Sequence, residues 1–446
     1  MSIRRRDVLA WGGSAASLSA VGCATRDAGR DPMPSREAER TSAPPRDDGS
    51  GSVVQRTDTG SVVRQYDAQG EHRTATAGDS ASATWLLELA RRAGATAGLE
   101  PFALQRVDPL ACHATIEGRR IDGVPLFDAA FTDARGINGR IGPLGSDAEI
   151  GLAESEPSRL TEPGPSRRRA VLADVRASRH RAVVLVTRGS RPGLSLLNAP
   201  AFLEPSGPPT LQVSSAEAEW LGAAARSRAT MTVVVQAQRT DAQGANVTAM
   251  IAGTDLTQRP LVVSTPRSGW WRCAAERGGG LACWVEVMRT LAQQSPSPRR
   301  TCLFVAFSGH EIGWLGMRDY LSRRAELPRV AHLWLHFGAN IGAARQPNMV
   351  NASDDALEQW AASALAGERL PLDARAPRGS TPFGEAAFVH RAGGRYVALV
   401  CDNERFHSPD DRWPDAVDVS ALNGYARAFA KAIAREAQTS DPTVKP

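Results

Sequence analysis

Glu276, His310, Glu311, His336 and His407 are the residues of this sequence whose types and placement point to chemistry. Each stands at the end of an apolar run or in the turn that follows one. Thr265-Pro266-Arg267-Ser268 follows Leu261–Ser264 and leads to Glu276-Arg277-Gly278-Gly279-Gly280. Ser308-Gly309-His310-Glu311 follows Thr301–Phe307, Leu335-His336-Phe337 closes another run, and Phe406-His407-Ser408 follows Tyr396–Cys401. Two carboxylates and three imidazoles supply the oxygen and nitrogen donors that suit zinc. Each residue also has a structural reading. Ser308 and Glu311 have the spacing of a capping box. His336 sits in an apolar run as a hydrogen-bonded core histidine would, Glu276 as an acid at a helix start, and His407 in a Pro/Asp loop. Their shared position after strands favours a site, or the remnant of one.

The elements that must hold them alternate from Val247 onward. Strands are expected at Leu261–Ser264, Thr301–Phe307, Val330–Phe337 and Tyr396–Cys401, with helices at Gly280–Gln293, Ile312–Arg324, Ala356–Leu365 and Val419–Glu436. Near-continuous apolar strands between helices predict an α/β sheet covered on both faces. A site then lies beyond the carboxyl ends of the strands. Upstream, a helix is expected from Asp79 as N-cap, with Trp85, Leu86, Leu89 and Ala93 on one face. Between 110 and 244, short runs such as Ala182–Val186 and Met231–Val235 alternate with Pro/Gly turns, which predicts a mainly β insert.

The organisation expected is an export signal at 1–24, a disordered tether at 25–59, then a core domain at 60–109 and 245–440 carrying the 110–244 insert. Arg4-Arg5-Arg6-Asp7-Val8-Leu9 resembles a twin-arginine motif ahead of a short Gly/Ala/Ser-rich stretch. Leu18–Cys23 has the form of a lipoprotein box, with Cys23 as the lipidation residue. The protein is therefore expected to be periplasmic or lipid-anchored in the cell envelope, touching a membrane only through that anchor. No apolar run reaches the ~18 residues of a membrane-spanning helix. The chain of 446 residues is 42% hydrophobic and 23% charged, which excludes a wholly disordered chain, a collagen and a disulfide miniprotein. Net charge is +5, but 53 basic residues are interleaved with 48 acidic ones and only Lys431 and Lys445 are lysines, so no nucleic-acid partner is expected. Cys112, Cys273, Cys283, Cys302 and Cys401 show no CxxC spacing, which excludes a zinc ribbon and leaves room for one disulfide. His310-Glu311 lacks the second histidine of HExxH, and Ser308 lacks the flanking glycines of a nucleophile elbow.

Arg300–Gly316, with its strand and Ser308-Gly309-His310-Glu311-Ile312-Gly313-Trp314-Leu315-Gly316, resembles the strand and Gly-Glu-Glu-x-Gly-Leu-x-Gly turn of the exopeptidases with two co-catalytic zinc ions. That family includes leucyl aminopeptidases, glutamate carboxypeptidase, glutaminyl cyclase and the transferrin receptor. Gly280-Leu281-Ala282 with Glu286-Val287, Pro382-Phe383-Gly384-Glu385 and Phe406-His407-Ser408 are similar to later segments of it. Val184–Gly189 and Pro208–Ser214 are similar to its protease-associated insert. The resemblance implies a three-layer α/β/α domain with a mixed central sheet plus that β insert.

It also implies roles. Glu276 takes the place of the metal-bridging Asp, Glu311 of a metal-binding Glu, His407 of the last His ligand, and His336 of an Asp ligand. His310 stands at the general base, while Thr265 and Arg267 replace a His and an Asp ligand. The expectation is a pseudoenzyme, an exported homologue without normal peptidase activity that binds a peptide or protein. The alternatives are a hydrolase holding one zinc at most through Glu276, Glu311 and His407 with His310 as base, and a purely structural envelope protein.

Overall fold

The computed structural model describes residues 58–157, 159–161 and 167–441. The twin-arginine motif, Cys23 and the tether as far as residue 57 lie outside the described residues. After α1 (Thr59–Ala68) and α2 (Ala77–Arg92) comes a long strand, β1 (Thr96–Ile116). Short strands follow as β2 (Arg119–Asp122), β3 (Val124–Pro125), β4 (Ile137–Pro143), β5 (Ile150–Glu154), β6 (Ala182–Thr187) and β7 (Thr210–Ser214), with α3 (Arg167–Ala177) and α4 (Ala218–Ser227) among them. β8 (Thr230–Ile251) then returns antiparallel to β1, from Thr96 opposite Met250 to Thr115 opposite Thr232. Residues 110 and 244, the expected edges of the insert, both lie inside this ribbon. β4 to β7 pair in parallel and bury Ile150, Val184, Leu211 and Val213 against Leu221 of α4.

The rest of the chain alternates strand and helix. Its strands are β9 (Leu261–Pro266), β10 (Cys302–Phe307), β11 (Leu333–Phe337), β12 (Asn348–Ala352), β13 (Ala374–Arg375) and β14 (Tyr396–Cys401). Its helices are α5 (Gly279–Ala292), α6 (Leu315–Ser322), α7 (Leu327–Val330), α8 (Asp355–Gly367), α9 (Ala386–Arg391) and α10 (Val419–Glu436). β10, β9, β11 and β14 lie side by side in parallel, and every residue in them is buried. Only strands covered on both faces can be apolar throughout. Antiparallel β8 and β12 flank them and make the sheet mixed, the expected fold class. Side chains alternate across β10. Phe304 meets Trp284 of α5 edge-on at 5.6 Å, while Phe307 meets Tyr320 of α6 at 5.7 Å. α10 adds Phe429 against Phe337 at 5.6 Å.

Several boundaries differ from the sequence reading for local reasons. Thr76, not Asp79, caps α2, and Asp79 lies one turn in with its carboxylate accepting from the Ala75 N–H at 2.8 Å. α6 starts at Leu315 rather than Ile312, because Gly309, Gly313 and Trp314 take positive φ. A Cβ on Gly309 would stand 2.9 Å from the Leu315 Cβ, so the turn needs glycine there. β11 begins at Leu333, since Leu327–Val330 forms a helical turn. Cys112, Cys273, Cys283, Cys302 and Cys401 are all free. Among the described residues no helix is long and apolar enough to cross a membrane.

Candidate functional site

The segment after β9 turns inward. Arg267 is fully buried beneath α2, with Nη1 2.9 Å from Asp79 Oδ1. The guanidinium also donates to the carbonyls of Asp79 and Ala245, at 2.5 and 2.7 Å, and to the Ser82 hydroxyl. Burial raises the Asp79 carboxyl and Arg267 pulls it back, leaving it above its ordinary value. Thr265 is buried at the end of β9.

Glu276 sits in a π-helical turn, Ala274–Gly278, that leads into α5. Asp411 holds this turn from below, accepting the N–H groups of Ala275 and Glu276 at 2.9 Å each. Burial, then the charge of Glu276, push Asp411 up to about 7 against those two donors. The Arg277 Nη2 lies 2.7 Å from Glu276 Oε1, and both side chains are within 1% of complete burial. They form a contact ion pair without the alignment of a hydrogen bond. His407 Nε2 approaches the same oxygen at 3.5 Å, while its Nδ1 donates to the Leu196 carbonyl at 2.6 Å. Burial alone would raise Glu276; Arg277, His407 and His310 outweigh it and hold the carboxyl below its ordinary value.

A second cluster joins the turn after β10 to the residue before α9. His310 Nδ1 lies 2.9 and 3.1 Å from the two oxygens of Glu385. His336 on β11 places Nε2 3.6 Å from the same carboxylate, and its Nδ1 meets the Ser264 hydroxyl at 2.9 Å. Ser264 accepts from the Trp334 indole, so its own proton is available to His336 Nδ1, which leaves the His336 Nε2–H toward Glu385. Burial would raise Glu385, but the two histidines and Arg277 bring it down to about 2, so it is ionised. Burial lowers His336 to about 4, so that imidazole is neutral at physiological pH. Gly384, at φ 64°, lets the backbone close in. A Cβ there would stand 3.4 Å from His310 Cε1 and 3.6 Å from His336 Nε2.

Glu311 points elsewhere. Its Oε1 accepts from the Thr74 N–H at 2.7 Å and hydroxyl at 2.6 Å, and its Oε2 from the Ser268 hydroxyl at 2.7 Å. Ser308 donates to Asp79 instead of pairing with Glu311, so the capping-box reading does not hold. The Glu311 carbonyl accepts from Ala199, which ties the 195–200 segment of the β-rich part to the site.

A cavity of about 150 Å³ opens among His310, His336, His407 and Asn198, walled by Trp314, Phe383 and Phe406 among other apolar groups. The structure thus gathers His310, His336 and His407 around one space and sets Glu276 behind His407, while Glu311, Thr265 and Arg267 face other partners. Among the described residues no group of three or more His, Cys, Asp or Glu is arranged to hold a metal ion. Arg277, Glu385, Asp411 and Asn198 were missed as site residues. Only the adjacency of Arg277 to Glu276, and the Pro382–Glu385 segment, gave a signal.

The architecture is the zinc-exopeptidase α/β fold. It superposes on BSAP, a zinc aminopeptidase from Bacillus subtilis, with a TM-score of 0.67 at 15% identity over 87% of this chain and 98% of that one. A peptidase M28 precursor from Shewanella amazonensis gives 0.69 at 15% identity over 87% and 95%. An aminopeptidase from Aneurinibacillus sp. strain AM-1 gives 0.63 at 14% identity over 87% and 95%. Transferrin receptor protein 2 of Rattus norvegicus is 30% identical over 92 residues, which is 20% of this chain and 12% of that protein, so the match spans about an eighth of the curated relative. No protein-family model matches the chain.

Proposed function

We propose that the chain is an exported homologue of the di-zinc exopeptidases that has given up di-zinc chemistry and binds a peptide or protein group in the histidine-lined cavity. The observation that carries this reading is the Arg277–Glu276 pair, 2.7 Å apart and fully enclosed. A fixed guanidinium beside the residue aligned with the metal bridge repels a cation where the reaction would need one. The rest of the donor set does not fit a zinc pair either. Both Glu311 oxygens are occupied by Thr74 and Ser268, and Arg267 brings a second buried positive charge. No catalytic step is therefore routed through zinc.

Export through the twin-arginine route, with Cys23 as lipid acceptor, is part of the proposal and rests on the N-terminal sequence alone. A second reading is favoured by the 3.5 Å approach of His407 to Glu276: a hydrolase with one zinc on Glu276, Glu311 and His407, and His310 as base. It requires Glu311 to abandon three hydrogen bonds. Zinc analysis and leucyl-nitroanilide hydrolysis on the exported protein decide between them. Substoichiometric zinc and no turnover are expected. One tightly held zinc per chain, with turnover that disappears in Glu311→Ala, establishes the hydrolase instead.

A further inference from the structure

An aromatic ledge runs out of the cavity and carries two arginines. Trp314, a wall of the cavity, meets Phe388 of α9 edge-on with ring centroids 6.1 Å apart, and both residues are half-buried. Over the Phe388 ring lie two guanidiniums, that of Arg318 on α6 at 5.6 Å and that of Arg391 on α9 at 4.5 Å from its centroid. Both arginines are exposed. Arg318 donates from Nε to the Gly313 carbonyl at 2.9 Å, and neither guanidinium has an acidic partner among the described residues. Arg323 and Arg324, just beyond α6, show the contrast: both pair with Glu100, at 2.8 and 2.6 Å.

Stacking restrains both side chains without neutralising them. A guanidinium over a ring face keeps its N–H donors for other partners, and two such cations on one ring favour an anion. The carboxylate that precedes α9, Glu385, is buried and turned to His310 and His336 instead. The cavity behind the ledge selects what the anion belongs to. Leu160, Leu197, Val400 and Phe383 make much of its wall apolar, and about 150 Å³ holds one aliphatic side chain. A nucleic acid brings phosphates but no aliphatic side chain, and a free phosphate ion would leave the cavity unfilled. A peptide brings both groups. It rises about 3.3 Å per extended residue, so the 6.1 Å step from Trp314 to Phe388 sets an acid roughly two residues from the side chain in the cavity.

Resting on the peptide-binding reading above, we propose that the Trp314–Phe388 ledge receives the carboxylates of an acidic peptide through Arg318 and Arg391. An aliphatic side chain of the same peptide fills the cavity.

Calorimetry with three end-capped peptides tests this: Asp-Asp-Gly-Leu-Gly-Asp-Asp, the same sequence with Asn for every Asp, and the acidic sequence with Gly for Leu. The symmetric design needs no assumption about chain direction. The acidic leucine peptide is expected to bind about fivefold or more tighter than the Asn peptide at about 20 mM salt, with the margin shrinking at about 300 mM. It should also bind about tenfold tighter than the leucine-free peptide. In the double variant Arg318→Gln, Arg391→Gln the ratio of acidic to Asn affinity should fall to about one, with melting curves confirming the fold. No acid preference, an acid preference that survives in the double variant, equal binding of the leucine-free peptide, or tighter binding of an oligothymidine overturns the proposal. Binding of the leucine peptides without acid preference leaves the peptide-binding reading standing, whereas no binding of any of the three removes that reading as well.

Discussion

Replacing Arg267 by Met measures how the interior carries its charge. The substitution keeps the stem length and deletes a guanidinium that meets Asp79 Oδ1 at 2.9 Å and donates to two carbonyls and the Ser82 hydroxyl. Asp79 would remain with the Ala75 N–H and the Ser308 hydroxyl, so its carboxylate loses its charge partner but not all of its hydrogen bonds. Removing one member of a buried pair costs about 3–5 kcal/mol, and these surviving donors put the expected loss near the low end, about 3 kcal/mol. That is a large share of the roughly 5–15 kcal/mol that holds a typical fold together. Burial already raises the Asp79 carboxyl, and without Arg267 it rises further. A carboxyl raised in the folded state favours folding most when protonated, so the penalty should shrink as pH falls from 8 to 5. Urea denaturation of Arg267→Met, Asp79→Asn and the double variant at both pH values reads this directly. The double variant should recover about 1–2 kcal/mol relative to the sum of the singles. A loss under about 1 kcal/mol, or one that grows toward acid pH, would refute the argument.

Two further outcomes follow from the same network. Glu311→Gln leaves one acceptor oxygen and sets an amide NH₂ against a Thr74 or Ser268 donor, so it should cost about 1–3 kcal/mol in urea denaturation with zinc content unchanged; a fully stable variant that has lost zinc would show that Glu311 is a ligand. Burial, with Arg267 behind it, lowers His72 to about 3, and burial lowers His336 to about 4, both from 6.5. Below pH 6.5 the unfolded chain takes up protons that the folded one refuses, so stability should fall across that window, by about 2 kcal/mol per histidine at pH 5. His72→Phe should remove its share of the slope, and an unchanged slope would count against it.

The strands were legible because burial on both faces leaves a continuous apolar run, and β9, β10, β11 and β14 have one. Their order and the positions just beyond them then located His310, His336 and His407 near one another. What local pattern could not supply was the partner of each side chain. Glu311 has a capping-box spacing from Ser308, yet its oxygens are claimed by Thr74, 237 residues earlier in the chain, and by Ser268. His310 reads as a candidate base, but the carboxylate that fixes its ring is Glu385, 75 residues later. Asp79 looks like an N-cap until Arg267, nearly two hundred residues away, is brought against it. The edges expected for the insert, 110 and 244, both fall within the β1–β8 ribbon. β1 and β8 run on through their turn-rich neighbourhood with a register shift between Pro109 and Ala111, and Pro101 and Pro109 lie inside β1.

The pairing of buried charges bears on whether this interior is a decayed catalytic site or a maintained one. An unpaired carboxylate in a dry interior is costly enough that a site abandoned piecemeal would leave destabilising residues behind. Here Glu276 meets Arg277, Asp79 meets Arg267, Glu385 meets His310, and Glu311 is satisfied by three neutral donors. Asp411 is the exception in charge, but it is spent on holding the Glu276 turn through two backbone N–H groups. Compensation at this level pairs the buried charges, although Glu276 Oε1, Arg277 Nη2 and His336 Nε2 make no hydrogen bond to the described residues. His310, His336, His407 and Asn198 all line the cavity, and Asn198 reaches it on a segment of the β-rich part. Three imidazoles meet at that opening while Glu276 is closed in by Arg277, which is why the cavity, and not the Glu276 turn, is where a ligand should be sought.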